Sequence, residues 1–550
     1  MRGPTRKRTP LLAIATAVVL TATAACGGGS SSSSGSSDSS GVVRASWGDP
    51  QNPLEPANTN EVFGGKVLRM VTSGLKSLDP KTGQPENELA ESVESDDQKS
   101  WTVKIKKGQK FSNGEAVTAK SFVDAWNYAA NVKNKQVNAP FFSYIDGYDD
   151  VHPADEKAVP KAKTMSGLKV VDDQTFQVEL TQPFAIWPDT LAYPAMAPLP
   201  KAFFDDHDAW LDKPIGNGPY KIDSYSKGKS MKLVKDDNYQ GSHKAKNEGV
   251  ELKVYTDPNT AYTDLQAGNL DVMDDLPANQ LANAESDLGD RYINEPAGII
   301  QTVTFPLYDK VWAGADGAKL RRGISMAINR DQITKSVFND TRVPAKDWTS
   351  PVIGEKGGFD KEMCGDLCKY DPKKAKQLIE EAGGIPGGKL TLSSNVDTGS
   401  HKDWMDAVCN SLNKAIGKEN VCVVNPVGTF GDFRSQVTKK EMKGPFRTGW
   451  QMDYPNIENF LSKLYYTGAS ANDGGYSNKT FDKGIDEANA AKSTEDAVSK
   501  YKEAEKQLVK DVPAIPLWYQ NGTAGYSDGV SDVKLYPDSI PVYQDIKVNG

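Results

Sequence analysis

A serine framed by glycines and a lysine closing a glycine-bounded loop are the two places where residue type and spacing in this chain point to catalysis. Gly525-Tyr526-Ser527-Asp528-Gly529 has the G-x-S-x-G spacing of a nucleophile elbow, in which a strained turn exposes a serine for acyl transfer. That chemistry needs a helix after the turn and a histidine base further along. The last histidine is His401 and 21 residues follow Gly529, so the segment reads as a turn. Gly383 to Lys389 has the G-x4-G-K spacing of a phosphate loop, but Leu390 stands where Ser or Thr would hold magnesium. It also follows a helical pattern rather than a strand, so it reads as a helix stop and a turn. The four histidines, His152, His207, His243 and His401, are scattered, which argues against zinc chemistry built on histidine clusters. With no completed catalytic constellation, the expectation is a binding protein that is not an enzyme and needs no metal or cofactor.

The cysteines carry a different chemistry. Met1 to Pro10 is basic and polar, Leu11 to Ala25 is apolar or small, and Thr23-Ala24-Ala25-Cys26 follows. This order reads as a signal peptide over 1–25. Small residues before a cysteine resemble a bacterial lipobox, in which Cys26 becomes the lipidated N-terminus; Thr23 replaces the usual Leu. Gly27 to Gly41 is all Gly and Ser except Asp38, a flexible tether with a reach of about 20–25 Å. The expected place is the extracytoplasmic face of the cell membrane, held through lipid. Four cysteines remain, Cys364, Cys368, Cys409 and Cys422. In an exported protein they read as two disulfides with three possible connectivities, of which the local pairs 364–368 and 409–422 are favoured by proximity in sequence.

The chain around these residues is 550 long, too much for one hydrophobic core, so two or three domains are expected. Charged residues at 25% and apolar ones at 38% suit a soluble globular body rather than a disordered one. Setting aside the four cations of the first 25 residues takes the net charge from −8 to −12. An acidic body lacks the basic footprint of a nucleic-acid binder.

Local patterns supply the positioning elements. Strands are expected at Val42–Trp47, Trp101–Ile105, Asp173–Leu180, Leu252–Tyr255 and Leu390–Ser394 from alternation and turn signals. Helices are expected after Thr118, over Asn259–Ala267, as one long element over Ala318–Phe338, over Pro372–Ala382, over His401–Ile416, and over Thr494–Lys510 behind the N-cap Ser493. Interleaved strands and helices without a short repeat make this a mixed α/β protein.

Several segments, in order, resemble the solute-binding subunits of peptide-importing ABC transporters. Leu89-Ala90-Glu91-Ser92 with Trp101 to Gly108 and Phe111-Ser112-Asn113-Gly114 is similar to the family's opening block. Pro214 to Tyr220, Leu265 to Val272, Leu320 to Arg330 and Pro513 to Trp518 match its later signatures. The resemblance covers about 42–550 and implies a periplasmic-binding-protein-like fold: two lobes closing about a hinge, an additional domain, and a discontinuous first domain. Domain I is then 42–84, 217–299 and 520–550; domain II is 85–216; domain III is 300–519.

Arg447-Thr448-Gly449-Trp450-Gln451-Met452-Asp453-Tyr454 resembles the segment on which oligopeptide binders lay an extended peptide by strand addition. By that resemblance Asp453 holds the ligand's ammonium, while Arg447 and His401 face its carboxylate. Gly449, Trp450 and Gln451 flank the peptide, with Tyr144 and the Asp49–Gln51–Asn52 turn as further contacts. Met452 replaces a small residue. The implied partners are an oligopeptide and ABC-transporter permease subunits, served by a monomer. A peptide-pheromone sensor, or the same fold carrying nickel, haem or an oligosaccharide, remains an alternative.

Overall fold

The computed structural model describes residues 41–549 except 60, 81–82, 156, 278, 397–400, 429 and 470. Cys26 and the Gly/Ser run before Gly41 lie outside the described residues.

Two strands of 13 residues each, Tyr292–Thr304 and Ala514–Tyr526, organise the molecule. They pair antiparallel from Tyr292↔Gly525 to Thr304↔Ala514 and span about 40 Å. At one end Ala514–Tyr526 also pairs with Val272–Met273, beyond which lie Val42–Trp47, Gly249–Val254, Ser230–Lys235 and Tyr220–Ser226. On the other side Tyr292–Thr304 pairs with Phe446–Gln451, followed by Leu390–Asn395 and Cys422–Val427. Short Arg342–Pro344 adds beside Ala514–Tyr526, giving an eleven-stranded mixed sheet that runs through both lobes.

Val42–Trp47 shows why the pattern was readable. Val43, Ala45 and Trp47 face inward and are buried, while Val42, Arg44 and Ser46 are half-exposed. The long strands are interrupted midway. Their register slips between Pro296 and Ile299, and again between Gln301 and Thr302, as bulges that bend a strand do. The first bulge is fastened on three sides. Gly298 N–H donates to Pro537 O (2.7 Å), Gly298 O accepts from Met452 N–H (2.9 Å), and Ser350 Oγ donates to Ala297 O (2.9 Å). A Cβ on Gly298 would stand 2.5 Å from Met452 Cγ, so the large residue at 452 is accommodated by glycine opposite it.

A separate four-stranded sheet is built from Ala90–Glu94, Ser100–Ile105, Thr175–Glu179 and Leu168–Val170. Helix Ala119–Ala130 covers it, with Phe122 stacked on Phe176 at 5.9 Å and Trp126 edge-on to Phe176 at 5.5 Å. Most expected helices occur within a residue or two: Pro258–Gln266, Pro372–Glu381, His401–Ile416 and Thr494–Asp511. Ser493 Oγ accepts from Asp496 N–H at 3.2 Å, the anticipated cap.

The single long helix expected over Ala318–Phe338 is instead two, Gly314–Met326 and Arg330–Phe338. The break has a tertiary cause. A continuous helix would give the Ser325 carbonyl to the Asn329 N–H. Here the buried Arg330 takes that carbonyl with Nη1 (3.1 Å), while its Nε donates to Pro516 O (2.9 Å). Asn329 N–H donates to Ser411 Oγ (3.1 Å) and its side chain caps the second helix through Gln332 N–H (3.2 Å).

The disulfides are the local pairs, Cys364–Cys368 and Cys409–Cys422, with Cα separations of 5.7 and 4.8 Å. Gly525 and Tyr526 end a strand, and Ser527 Oγ donates to Asp271 Oδ1 (3.1 Å), itself gripped by Arg44; among the described residues no α-helix follows, only the short 3-10 turn Tyr543–Asp545. Gly383 stops its helix at φ +88°. Among the described residues no helix is long and apolar enough to cross a membrane.

Candidate functional site

Phe446–Gln451 is a strand with half of one edge uncovered. Along Tyr292–Thr304 it pairs over its whole length, from Ile299↔Gln451 to Thr304↔Phe446. On the other side Leu390–Asn395 reaches it at Ser393↔Phe446 alone. The Met452 N–H bond to Gly298 O sets the phase of the antiparallel ladder. Residues 448 and 450 therefore turn their N–H and C=O toward Tyr292–Thr304, and Gly449 and Gln451 turn theirs toward the open edge. Main-chain donors and acceptors on an uncovered edge are what an added strand requires.

Side chains divide by the same alternation. Arg447, Gly449 and Gln451 share one face, Thr448 and Trp450 the other. Thr448 Oγ1 lies 2.6 Å from both the Thr302 and Thr304 hydroxyls. Trp450 Nε1 donates to Asn459 Oδ1 (2.9 Å). Trp450 is thus a support for the strand rather than a cleft wall.

Asn459, fully buried near the start of helix Ile457–Tyr465, organises the end of this strand. Its Oδ1 also accepts from Asp453 N–H (3.0 Å), and its Nδ2 donates to Asp453 Oδ2 (2.9 Å). The second Asp453 oxygen takes no hydrogen bond among the described residues. Burial raises the Asp453 pKa; the Asn459 bond and the Lys463 charge oppose that, and Glu458 adds to it. A half-buried carboxylate held from one side, with its other oxygen unclaimed, is suited to a cation arriving from the cleft.

The opposite wall comes from helix Val62–Val71. Glu61 caps it through Phe63 N–H (2.7 Å) and Gly64 N–H (2.9 Å). The cap aims Lys66 and Arg69 at the cleft, where Lys66 pairs with Asp274 (2.7 Å) and Arg69 with Asp538. Gln451 Nε2 reaches Asp538 O at 3.5 Å, so both walls touch the same segment. Between them lies a cleft in two adjoining parts, both lined by Glu61, Val62, Gln451 and Asp538. The smaller part holds Asp453, Met452 and Tyr193; the larger holds Asp49, Gln51, Asp275, Ile299 and Gln520.

The anticipated residues fall into three groups. Asp453, Gln451, Asp49 and Gln51 line the cleft. The Asp49 carboxylate is spent on Tyr225 Oη–H (2.9 Å) and Gly228 N–H (2.8 Å), so it anchors a hairpin. Arg447 and Gly449 share the face of Gln451 but lie beyond the residues that line the cleft, and His401 also lies outside that lining. Burial and the Arg434 charge bring the Arg447 pKa down to about 10, and Arg447 Nε has no hydrogen-bond partner among the described residues. His401 is buried and accepts from Trp404 Nε1 at 2.9 Å. Asn52 and Tyr144 stand outside the cleft lining. Asn52 Nδ2 closes its own turn on Asn58 O (3.0 Å), and the Tyr144 ring stacks on Phe184 at 4.4 Å with Lys463 over it.

Sequence reasoning missed Glu61, Lys66, Arg69, Asp275, Asp538 and Asn459. The cations belong to an ordinary amphipathic helix, and their partners lie more than 200 residues away. Among the described residues no group of three or more His, Cys, Asp or Glu converges as a metal site would.

The chain matches the family model for bacterial extracellular solute-binding proteins, family 5, over residues 84–472. It is 26% identical over 516 residues to the oligopeptide-binding protein OppA of Bacillus subtilis, covering 89% of each chain. In fold it is similar to the periplasmic murein tripeptide-binding protein MppA in its unliganded open form, with a TM-score of 0.76 at 22% identity over 92% of this chain and 97% of that one. It is also similar to Haemophilus influenzae OppA in complex with RPPGFSPFR, at TM-score 0.71 and 22% identity over 93% and 99%. A mixed α/β chain whose lobes share a sheet, and whose cleft is edged by an open strand, thus belongs to the family 5 bacterial extracellular solute-binding proteins.

Proposed function

We propose that this protein captures oligopeptides in the cleft and delivers them to the permease of an ABC transporter. The observation that carries the reading is the open edge of Phe446–Gln451 running into Asp453. A peptide added along Gly449 and Gln451 bonds through its main chain, which is indifferent to side-chain identity. Its ammonium then meets Asp453 and its carboxylate end lies toward Arg447. The likeness to an oligopeptide-binding protein over nearly the whole chain supports the same reading.

Residues 42–84, 217–299 and 520–550 form one lobe in this proposal, 300–519 the facing lobe, and 85–216 an additional domain. The boundaries at 299/300 and 519/520 fall inside the two long strands, beside the bulge fastened at Gly298. Bending there closes the cleft, the hinge motion of periplasmic binding proteins. Isothermal titration with trialanine is expected to show saturable one-site binding. Absence of heat and of any co-purifying peptide in native mass spectrometry of protein from its own host overturns the proposal.

The membrane link belongs to the same proposal. With Cys26 lipidated and the Gly/Ser run as tether, the monomeric body works beside the permease at the outer face of the membrane. Cys26→Ala is expected to release the protein to the medium or leave it uncleaved. A cleaved Cys26→Ala protein retained in the membrane fraction would contradict the anchor.

A further inference from the structure

Among the described residues, three buried donors on one face of the sheet have no acceptor. Arg342 is in register with Gln520, Gln520 with Ile299, and Ile299 with Gln451. Residues aligned across neighbouring strands share a face, and Ile299, Gln451 and Gln520 line the cleft. Arg342 therefore belongs to the cleft face, as Arg447 does through its alternation with Gly449 and Gln451. A Cβ built on Gly449 would lie 3.5 Å from Arg447 Nη2, so the Arg447 guanidinium folds over Gly449 toward the cleft end of the strand. Gln301 lies between, paired with Gly449 on one side and Trp518 on the other. Its Oε1 accepts from Trp518 Nε1 (2.8 Å). The orphans are Arg342 Nε, Arg447 Nε and Gln301 Nε2.

Each of these atoms is a donor, and two belong to cations. Burial, then the like charge of Arg447, bring the Arg342 pKa down to about 10 despite the pull of Asp275. No carboxylate comes within ion-pair distance of either guanidinium among the described residues. The third arginine nearby is already satisfied, since Asp473 grips Arg434 bidentately at 2.6 and 3.1 Å. Buried cations without counter-ions cost stability and persist where something else supplies the charge. Planar guanidinium forks match carboxylates.

Resting on the peptide reading above, we propose that Arg342, with Arg447 and Gln301, makes this end of the cleft a subsite for two carboxylates, selecting peptides whose last residue is acidic. The terminal carboxylate of any peptide supplies one negative charge at Arg447. A second cation beside it is matched when the last side chain brings another. Arg342 is then the specificity-determining residue: its Nη1 already donates to Thr341 O (3.1 Å), and a neutral last residue leaves its Nε without an acceptor.

The test is isothermal titration of Ala-Ala-Glu, Ala-Ala-Gln, Glu-Ala-Ala and Gln-Ala-Ala against native protein, Arg342→Gln and Arg342→Lys. Native protein is expected to favour Ala-Ala-Glu over Ala-Ala-Gln by about tenfold or more, as for a desolvated charge pair. The Glu-Ala-Ala to Gln-Ala-Ala ratio stays within about twofold, because the acid then stands at the wrong end. Arg342→Gln collapses the Ala-Ala-Glu preference to about twofold or less, and Arg342→Lys leaves part of it, since charge survives without the fork. A merely structural arginine would shift all four peptides alike. Equal affinity of native protein for Ala-Ala-Glu and Ala-Ala-Gln overturns the inference while peptide capture stands. Failure of all four to bind overturns peptide capture and the inference with it. The native-protein ratio decides the matter even where Arg342→Gln fails to fold.

Discussion

Asp453→Asn is expected to weaken trialanine binding by roughly 2–5 kcal/mol, as when one partner of a buried hydrogen-bonded charge pair is lost. A peptide enclosed between lobes takes its ammonium out of water, at a cost of several kcal/mol unless an opposite charge meets it in good geometry. Main-chain pairing along Gly449 and Gln451 supplies no charge. Asp453 does, because Asn459 holds one carboxylate oxygen and leaves the other toward the cleft. The amide keeps the shape and removes the charge. N-acetyl-trialanine should bind native protein poorly and lose far less on mutation, so the two peptides against the two proteins form a double-mutant cycle. Equal affinity of native protein for free and acetylated peptide would remove Asp453 from this role.

The pH dependence follows from the same carboxylate. Burial holds the Asp453 pKa above the ordinary aspartate value in the free protein. In the proposed role Asp453 meets the ligand's ammonium in its ionised form, so protons and ligand compete for it. Affinity should therefore fall on acidification, starting at a higher pH than an exposed aspartate would give, and Asp453→Asn should flatten that limb. Titrations of trialanine between pH 4 and pH 8 read the effect directly.

The division between what was legible in the chain and what was not follows sequence separation. Ser493 and Asp496, or Trp101, Val103 and Ile105, act on neighbours a few positions away, so their spacing carries the element. The break between Met326 and Arg330 depends on a guanidinium reaching Pro516, 186 positions on, and no local pattern encodes it. The cleft shows the same split. Arg447, Gly449, Gln451 and Asp453 share one strand and its exit, and a resemblance over eight residues was enough to single them out. The wall they face joins Lys66 to Asp274 and Arg69 to Asp538 across 208 and 469 positions. Asn459 is an intermediate case. It lies six residues beyond Asp453, close enough in sequence for its amide to serve that neighbour, but buried Glu458 and Ser462 in the same helix keep it from standing out as a polar exception.

Glu505→Gln is expected to stabilise the protein relative to the native chain by a margin that grows as the pH rises. Asp347 and Glu505 are both fully buried. Among the described residues no ion pair reaches either carboxyl, and Lys502 meets Asp360 instead at 3.2 Å. Asp347 is the better-satisfied partner, with Oδ1 accepting from Thr349 N–H (3.0 Å) and Oδ2 from Asp360 N–H (2.6 Å). Burial and the Asp347 charge push the Glu505 pKa well above its ordinary value, so Glu505 keeps the pair's proton. Raised in the folded state, this group gives a stability contribution fully present below the unfolded glutamate pKa and lost as pH climbs toward the folded one. The loss is about 1.4 kcal/mol per pH unit within that window. Glutamine reproduces the protonated shape and never ionises, so it removes the slope. Asp347→Asn is isosteric in the same way but should destabilise by about 1–3 kcal/mol, because either orientation sets an amide NH2 against a backbone N–H. Urea unfolding of the three proteins at pH 5, 6, 7 and 8 separates these outcomes. A Glu505→Gln margin that does not change with pH would mean the glutamate is ionised in the fold. The pair also bears on the hinge, since Tyr519 of the long strand donates to Asp347 O (3.3 Å) and Ser350 holds the bulge at Ala297 O. If the lobes bend there as proposed, losing that proton is expected to loosen the segment that fastens the bulge, and the same alkaline limb should then appear in the rate at which the cleft closes on peptide.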